Sequence, residues 1–486
     1  MAKESANTSS NARLFEFRGG GSDKFWEITV VGAEHTVRYG RVGTDGQSKT
    51  KSFPSEDKAS AAAEKLISQK TGKGYSEVLA GQQSRTEKVK ENRDDLLEHA
   101  PFIDEILSSP DELGNYAVYA DWLSDRGDPR GEFIHVQLAL EDESLTAAKR
   151  KKLQTKEKSL LKKHERDWLE NLASLLVDND FPEELGEYVF GDAFNFKFAR
   201  GFLDTLEVAY LIPLFAKEIE AYPHIRMLRQ LVLADVPSGD ELVDAFEMYE
   251  DKEWDYEECP GLAALGGTAF DNLRKFQIGD NDQSKLGDGA ERLLKRMPKL
   301  QSLHLEITEV DSKDIFRAKL PELRELTVLH LSKYDVAALA KNKCMSNLES
   351  IHFHPHAAEN DYVDNAFIDQ KDVSAICKSK NLGSLRNLTL NCADVGDKGL
   401  KEIVDSGLLK QLAKLELSHA GISDEGAELL VQADSELEYL GLKGSYLSAA
   451  MIKALKKSFG NAVDCSDPMD ASRQDGKEHL YSGDME

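Results

Sequence analysis

The chain is 486 residues long, 41% apolar and 30% charged, with a formal net charge of −26; that length and balance suit several folded domains with a large core. Its average field repels phosphate and so argues against wholesale binding to nucleic acid or anionic membrane, and no run of about 18 apolar residues offers a transmembrane helix. The five cysteines, Cys259, Cys344, Cys377, Cys392 and Cys465, are scattered without C-x-x-C spacing, which reads as free thiols in a reducing cytoplasm, with neither a disulfide frame nor a zinc site.

Residues 1–13 are polar, carry no apolar core of signal-peptide type, and are expected to be disordered. From Leu14 apolar and polar residues alternate, broken at Gly19–Gly21, at Gly32 and at Thr44-Asp45-Gly46. That pattern predicts a small antiparallel sheet. Ser55 is placed to cap a following helix in which Ala59, Ala63, Leu66 and Ile67 have helical spacing. Lys24-Phe25-Trp26, YGRVGTDGQ at Tyr39–Gln47, the Ala-rich helix and KTGKGY at Lys70–Tyr75 follow in order. Over residues 14–79 the chain resembles a WGR domain, with Tyr39 where the family's naming Trp stands. In poly(ADP-ribose) polymerases this domain binds DNA ends, with the aromatic and the Arg near the backbone. The resemblance therefore implies nucleic-acid contact through Tyr39 and Arg41; it implies no polymerase activity, because no such catalytic domain is present. Residues 1–85 hold 13 Lys/Arg against 10 Asp/Glu, a net of +3 that leaves −29 on the rest. Lys24, Lys51 and Lys73 are further candidates for neutralising phosphate. The competing reading has Arg41 bracing the sheet and Tyr39 in a small core.

A polar stretch, 80–94, reads as a linker, and residues 95–200 as a helical domain. Leu113, Tyr116, Ala117, Ala120 and Leu123 share a helix face; Gly127 ends that helix, Asp128 caps the next and Pro129 takes its first turn. Phe133, Ile134, Val136, Gln137, Leu138 and Leu140 form a second face, and a third helix from Leu145 carries Trp168. The string YADWLSDRGDPRGEFIHVQLAL closely resembles the bacterial repeat-companion domain, which precedes irregular repeats and has no defined activity. Asp121, Arg126, Asp128, Arg130 and Glu132 are expected to cap and cross-pair at the tight turn, not to form an acid/base cluster. This domain is expected to cover the open N-terminal end of a repeat array that begins near residue 201.

The pattern L-x-x-L-x-L opens units at Leu385/Leu388/Leu390, Leu412/Leu415/Leu417 and Leu437/Leu440/Leu442, each followed by a helical pattern. Earlier copies start at Leu203, Leu228, Leu273, Leu300, Leu323 and Leu348. Such a period predicts a stacked solenoid with one strand and one helix per unit. Residues 201–465 resemble an irregular leucine-rich repeat array of the ribonuclease-inhibitor type, with acidic (237–261) and second (357–382) inserts. The family usually places Asn or Cys three residues after the third Leu; here Ala393, Ala420 and Ser445 stand there, and Asn281 alone clearly matches. The acidic insert interleaves Trp254 and other aromatics with ten carboxylates over 240–258, and the second insert suggests a helix from Asp372. The tail, 466–486, is expected to be disordered.

Strand alternation puts Thr205/Glu207, Lys275/Gln277, Ser302/His304, Glu325/Thr327, Ser350/His352, Asn387/Thr389, Lys414/Glu416 and Tyr439 on a parallel concave sheet. His304, His352, His354, Thr389, Glu416, Tyr439 and Trp254 are the candidates for holding a protein partner. His352-x-His354 has no convergent carboxylate or Cys, so no metal is expected. The sequence lacks G-x-x-x-x-G-K-[ST], G-x-S-x-G and H-E-x-x-H, so neither an enzyme nor a cofactor is expected. The expectation is a multidomain α/β chain: a small antiparallel-sheet-plus-helix domain, a helical cap, then the solenoid. It would be a non-enzymatic bacterial adaptor of the cytoplasm that recognises an unidentified protein through the concave face. The alternative is a nucleic-acid-binding protein tethered through residues 14–79. No membrane contact is expected.

Overall fold

The computed structural model describes residues 12–17, 24–41, 47–71, 75–78, 98–178, 193–245, 259–279, 290–307, 312–331, 333–355, 368–472 and 477–480. The polar start up to residue 11, the linker 80–94, Asn281 and the aromatic stretch around Trp254 fall outside them. The chain divides into two compact units, Met1–Pro101 and Phe102–Glu486. Among the described residues no helix is long and apolar enough to cross a membrane.

In the first unit, β1 (Ala12–Phe17), β2 (Lys24–Val31), β3 (Glu34–Arg41), β4 (Gln47–Ser52) and β5 (Ser76–Val78) form one antiparallel sheet in the order β4-β3-β2-β1-β5. The helix α1 (Glu56–Thr71) begins after Ser55, whose Oγ accepts the Lys58 N–H at 3.4 Å. Glu56 and Asp57 at its start and Lys70 at its end complement the helix dipole. Register places Trp26 opposite Phe15 and Tyr39, and Ile28 opposite Val37. Phe15, Trp26 and Ile28 meet Ala63 and Ile67 of α1 in a small core.

The second unit opens with a helical stretch that runs to residue 108, then α2 (Leu113–Asp125), α3 (Pro129–Leu140) and α4 (Ala147–Leu169). Gly127 has φ +77°, and Asp128 accepts the Arg130 N–H at 2.8 Å with Pro129 in the first turn of α3. The charges around this turn do not pair with one another as the sequence suggests. Asp121 meets His135 at 2.9 Å, Glu132 meets Lys156 at 2.5 Å, and Arg126 lies 3.8 Å from the Trp122 ring. Arg130 turns inward, buried, with Nη1 3.0 Å from His224 Nε2 and Nη2 donating to the Trp168 carbonyl at 3.3 Å. Helical spacing sends each charge to the next element, which sequence neighbours cannot reveal. On α2 the buried face is Tyr116, Tyr119, Ala120 and Leu123, so Tyr119 replaces Leu113.

Beyond the helices a single sheet of eleven strands follows chain order: β6 (Phe194–Ala199), β7 (Phe202–Tyr210), β8 (Gln230–Asp235), β9 (Lys275–Ile278), β10 (Ser302–Glu306), β11 (Glu325–Leu329), β12 (Ser350–His354), β13 (Asn387–Leu390), β14 (Lys414–Glu416), β15 (Tyr439–Gly441) and β16 (Val463–Asp464). β7 to β16 are parallel, and β6 pairs antiparallel with β7. The sheet therefore starts inside the stretch expected to be wholly helical. Leu206, Leu231, Phe276, Leu303, Leu326, Ile351, Leu388, Leu415 and Leu440 stand side by side in register and belong to one continuous core. Helices α5 (Ser312–Phe316), α6 (Val336–Lys341), α7 (Gln370–Cys377), α8 (Gly396–Asp405), α9 (Asp424–Gln432) and α10 (Ala449–Phe459) return the chain between strands.

Two backbone ladders keep the strands in step. At the strand entries the carbonyls of Arg229, Arg274, Gln301, Arg324, Glu349, Arg386 and Ala413 each accept two successive N–H groups at the start of the next strand. At the exits His330, Cys392, His419 and Gly444 take positive φ, and the N–H groups of Cys392, His419 and Gly444 donate to Ser418, Lys443 and Ser466 carbonyls. Ala393, Ala420 and Ser445, beside these exits, are fully buried. α7 begins at Gln370, two residues before the expected start. Asp369 is its cap and Asp372 the returning partner of a capping box. The tail also differs from expectation: Glu478–Leu480 forms a helical turn with His479 and Leu480 buried, and Lys477 pairs with Asp394 at 2.8 Å.

Candidate functional site

The open face of the large sheet carries two polar lines in register. Lys275, Ser302, Glu325, Ser350, Asn387, Lys414 and Tyr439 form one; Gln277, His304, Thr327, His352, Thr389 and Glu416 form the other. His304 Nε2 lies 2.7 Å from Glu306 Oε1. Burial, followed by the charges of Lys414 and His304, pushes His352 down to about 4, so it is neutral at pH 7. Three expected surface residues are instead closed over. His354 is buried with its ring 6.3 Å from His330, and Thr389 and Glu416 are buried too. The Glu416 carboxylate accepts from Ser418 Oγ and lies across Gly441, where a Cβ would overlap it. Burial and then Glu416 push the Tyr439 hydroxyl up to about 12, and Lys414 Nζ sits 5.3 Å from the Tyr439 ring. The C-terminal part of this face is thus largely satisfied by its own side chains, while His304, His352 and Tyr439 stay partly exposed. Trp254 is not among the described residues.

The small sheet offers a different chemistry. Every residue of the edge strand β4 is exposed. Lys49 stands opposite Val37 and Lys51 opposite His35, so the two ammonium groups project to one side, two residues apart. Lys49 Nζ is 6.0 Å from the Tyr39 ring, and Lys51 Nζ is 5.4 Å from the Phe53 ring. Lys24 is exposed at the start of β2, and its backbone pairs with that of Arg41. Among the described residues Lys24, Lys49 and Lys51 have no ion-pair partner. Tyr39 is half-buried and packs against the Trp26 core. The Arg41 side chain and Lys73 lie outside the described residues. Lys49 was not among the sequence candidates, although the alternation in QSKTKS puts it beside Lys51.

Residues 12–82 match the model of the WGR domain family. This segment is a WGR domain. It extends slightly beyond the 14–79 read from motifs: β1 begins at Ala12, and the match runs to residue 82. The chain is also 45% identical over 56 residues to the uncharacterized protein YfeS of Escherichia coli K12, a match spanning 12% of this chain and 23% of that one. A crystal structure of a Bacteroides fragilis protein superposes on 95% of this chain and 98% of its own, at 19% identity and a TM-score of 0.33. The WGR domain contributes β4 as a basic strand at one edge of its sheet, with Lys49 beside the Tyr39 ring and Lys51 beside the Phe53 ring.

Proposed function

We propose that this chain is a non-enzymatic nucleic-acid-binding adaptor of the bacterial cytoplasm, and that its WGR domain makes the nucleic-acid contact. The match of residues 12–82 to a domain type that generally binds nucleic acid carries this reading. Lys24, Lys49 and Lys51, without ion-pair partners among the described residues, would neutralise phosphates, and the partly exposed Tyr39 would contact a sugar or base at a strand end. The remaining −29 opposes approach, so binding is modest and strongly salt-dependent. Titration of the full chain into fluorescein-labelled blunt duplex and single strand tests this. Replacing Lys49 and Lys51 with Gln should flatten the salt dependence by about two units on a log–log plot. No binding to either probe at low ionic strength would sink the proposal.

A second reading adds a protein partner. The parallel sheet of the second unit is read as a leucine-rich repeat solenoid, and the helices before it as a repeat-companion domain covering its first units. The helical residues Ile106, Tyr119 and Ile134 pack on Phe202 and Met227, which supports that placement. Partly exposed His304, His352 and Tyr439 suit a polar protein surface, with His352 neutral. The full chain should capture a partner that His352→Arg/Tyr439→Ala no longer retains. Equal capture by both proteins would remove the open face from the proposal.

A further inference from the structure

The acidic second unit carries a local row of basic side chains that neither reading uses. Arg317 and Lys319 follow α5, Lys341 ends α6 with Lys343 two residues beyond it, and Lys378 caps α7 with Lys380 two residues further on. Counted back from the strand that follows, the pairs stand eight and six, nine and seven, and nine and seven residues before Glu325, Ser350 and Asn387. They therefore occupy equivalent turns of three consecutive units.

Side chains tie these turns together. Asn342 Nδ2 donates to the Phe316 and Ala318 carbonyls, both at 2.9 Å. Ser379 Oγ and Asn381 Nδ2 donate to the Ala340 carbonyl at 2.7 and 3.1 Å. All six basic residues are exposed. Arg317 reaches Asp335 at 3.5 Å and Lys378 reaches Glu402 at 3.0 Å. Among the described residues Lys319, Lys341, Lys343 and Lys380 have no ion-pair partner. Between the first two turns lies an open groove of about 360 Å³, lined by Arg317, Asp335, Ala338, Lys341, Asn342 and Lys343.

Stabilisation of helix C-termini explains Lys341 and Lys378, which sit at the ends of α6 and α7. It does not explain Lys319, Lys343 and Lys380, which lie past the helix ends. Bringing like charges together in adjacent turns costs repulsion that a polyanion removes. The groove has no aromatic or large aliphatic lining of the kind that anchors a protein partner. A phosphate backbone needs only repeated point charges of the kind that lysine supplies.

We propose that the row Lys319, Lys341, Lys343 and Lys380 is a second phosphate-contacting surface, which engages a nucleic-acid backbone independently of the WGR domain. This rests on the nucleic-acid reading above. The test compares the full chain with the variant Lys319→Gln/Lys341→Gln/Lys343→Gln/Lys380→Gln, by anisotropy with labelled duplex across a salt series. Surface Lys→Gln changes should leave the melting temperature in place. The expected result is at least about tenfold weaker binding at low salt and a log–log slope shallower by roughly three to four units. A matched control replaces Lys151, Lys152, Lys158 and Lys163, which are exposed on α4. An equal loss in the control would mean a general charge effect and overturn the proposal. Unchanged binding by the row variant, with Lys49→Gln/Lys51→Gln still impaired, would overturn the row and leave the WGR reading standing. Absence of binding by the unaltered chain would end both. Loss of poly-glutamate binding with duplex binding intact would assign the row to acidic polypeptides and overturn the proposal.

Discussion

Leu415→Ala should lower the free energy of unfolding by about 2–5 kcal/mol, the range for truncating a buried leucine when the cavity cannot fully collapse. Leu415 has no exposed surface and stands between Leu388 and Leu440 in the register line. β14 is only three residues long, so Leu415 is its single apolar contact with the core from within the strand. Neighbours on both sides are held by the entry ladder, through the Arg386 and Ala413 carbonyls, and cannot move in to fill the space. Because domains are stable by only about 5–15 kcal/mol, the loss is a large share of the total. Urea denaturation followed by far-UV circular dichroism measures it. A loss below about 1 kcal/mol would mean that the aligned leucines do not form one packed line.

Gly201→Ala should cost about 2–4 kcal/mol, combining a left-handed backbone with overpacking. Arg200 and Gly201 have φ of +51° and +85°, and they join β6 to β7 as a two-residue hairpin. A Cβ at Gly201 would overlap Ile134 of α3. The Gly201 N–H also donates to Gln137 Oε1 at 2.7 Å, while Gln137 Nε2 donates to the Phe198 carbonyl at 3.0 Å. The neighbouring Arg200 holds Glu141 through two bonds of 2.7 and 2.9 Å. This hairpin tip is therefore where the helices and the sheet of the second unit are fastened. Thermal melting of the variant would show the loss, and Gly201→Asn, which tolerates positive φ better, should lose the packing term but less of the backbone term. Wild-type stability in Gly201→Ala would mean that α3 does not press on the hairpin.

Periodicity was the strongest signal in the chain. The spacing Leu385/Leu388/Leu390, repeated at Leu412 and Leu437, specified strand, inward face and neighbour, because a period of two leaves one register that buries the leucines. The same alternation placed His304 and His352 on the open face, and the order of motifs between Lys24 and Tyr75 was enough to identify the WGR domain. Local chemistry was equally legible at Gly127, Asp128 and Pro129, where each residue acts on its own backbone.

Strand faces, caps, turns and the small basic sheet were legible because each depends on residues a few positions apart. Long-range outcomes were not, and they came from packing in three dimensions. His354, Thr389 and Glu416 alternate onto the open face yet are buried; the His330 ring lies beside His354 and the Gly441 backbone beside the Glu416 carboxylate, both about 25 residues away in sequence. Arg130 turns into the interior toward His224 and Trp168, and His479 returns to Tyr446, separated from it by 33 residues. The basic turns after α5, α6 and α7 become one row only because Asn342, Ser379 and Asn381 bind carbonyls of the preceding unit. Burial and charge clustering are sums over neighbours in space, and a linear pattern fixes those neighbours only where a regular register carries them.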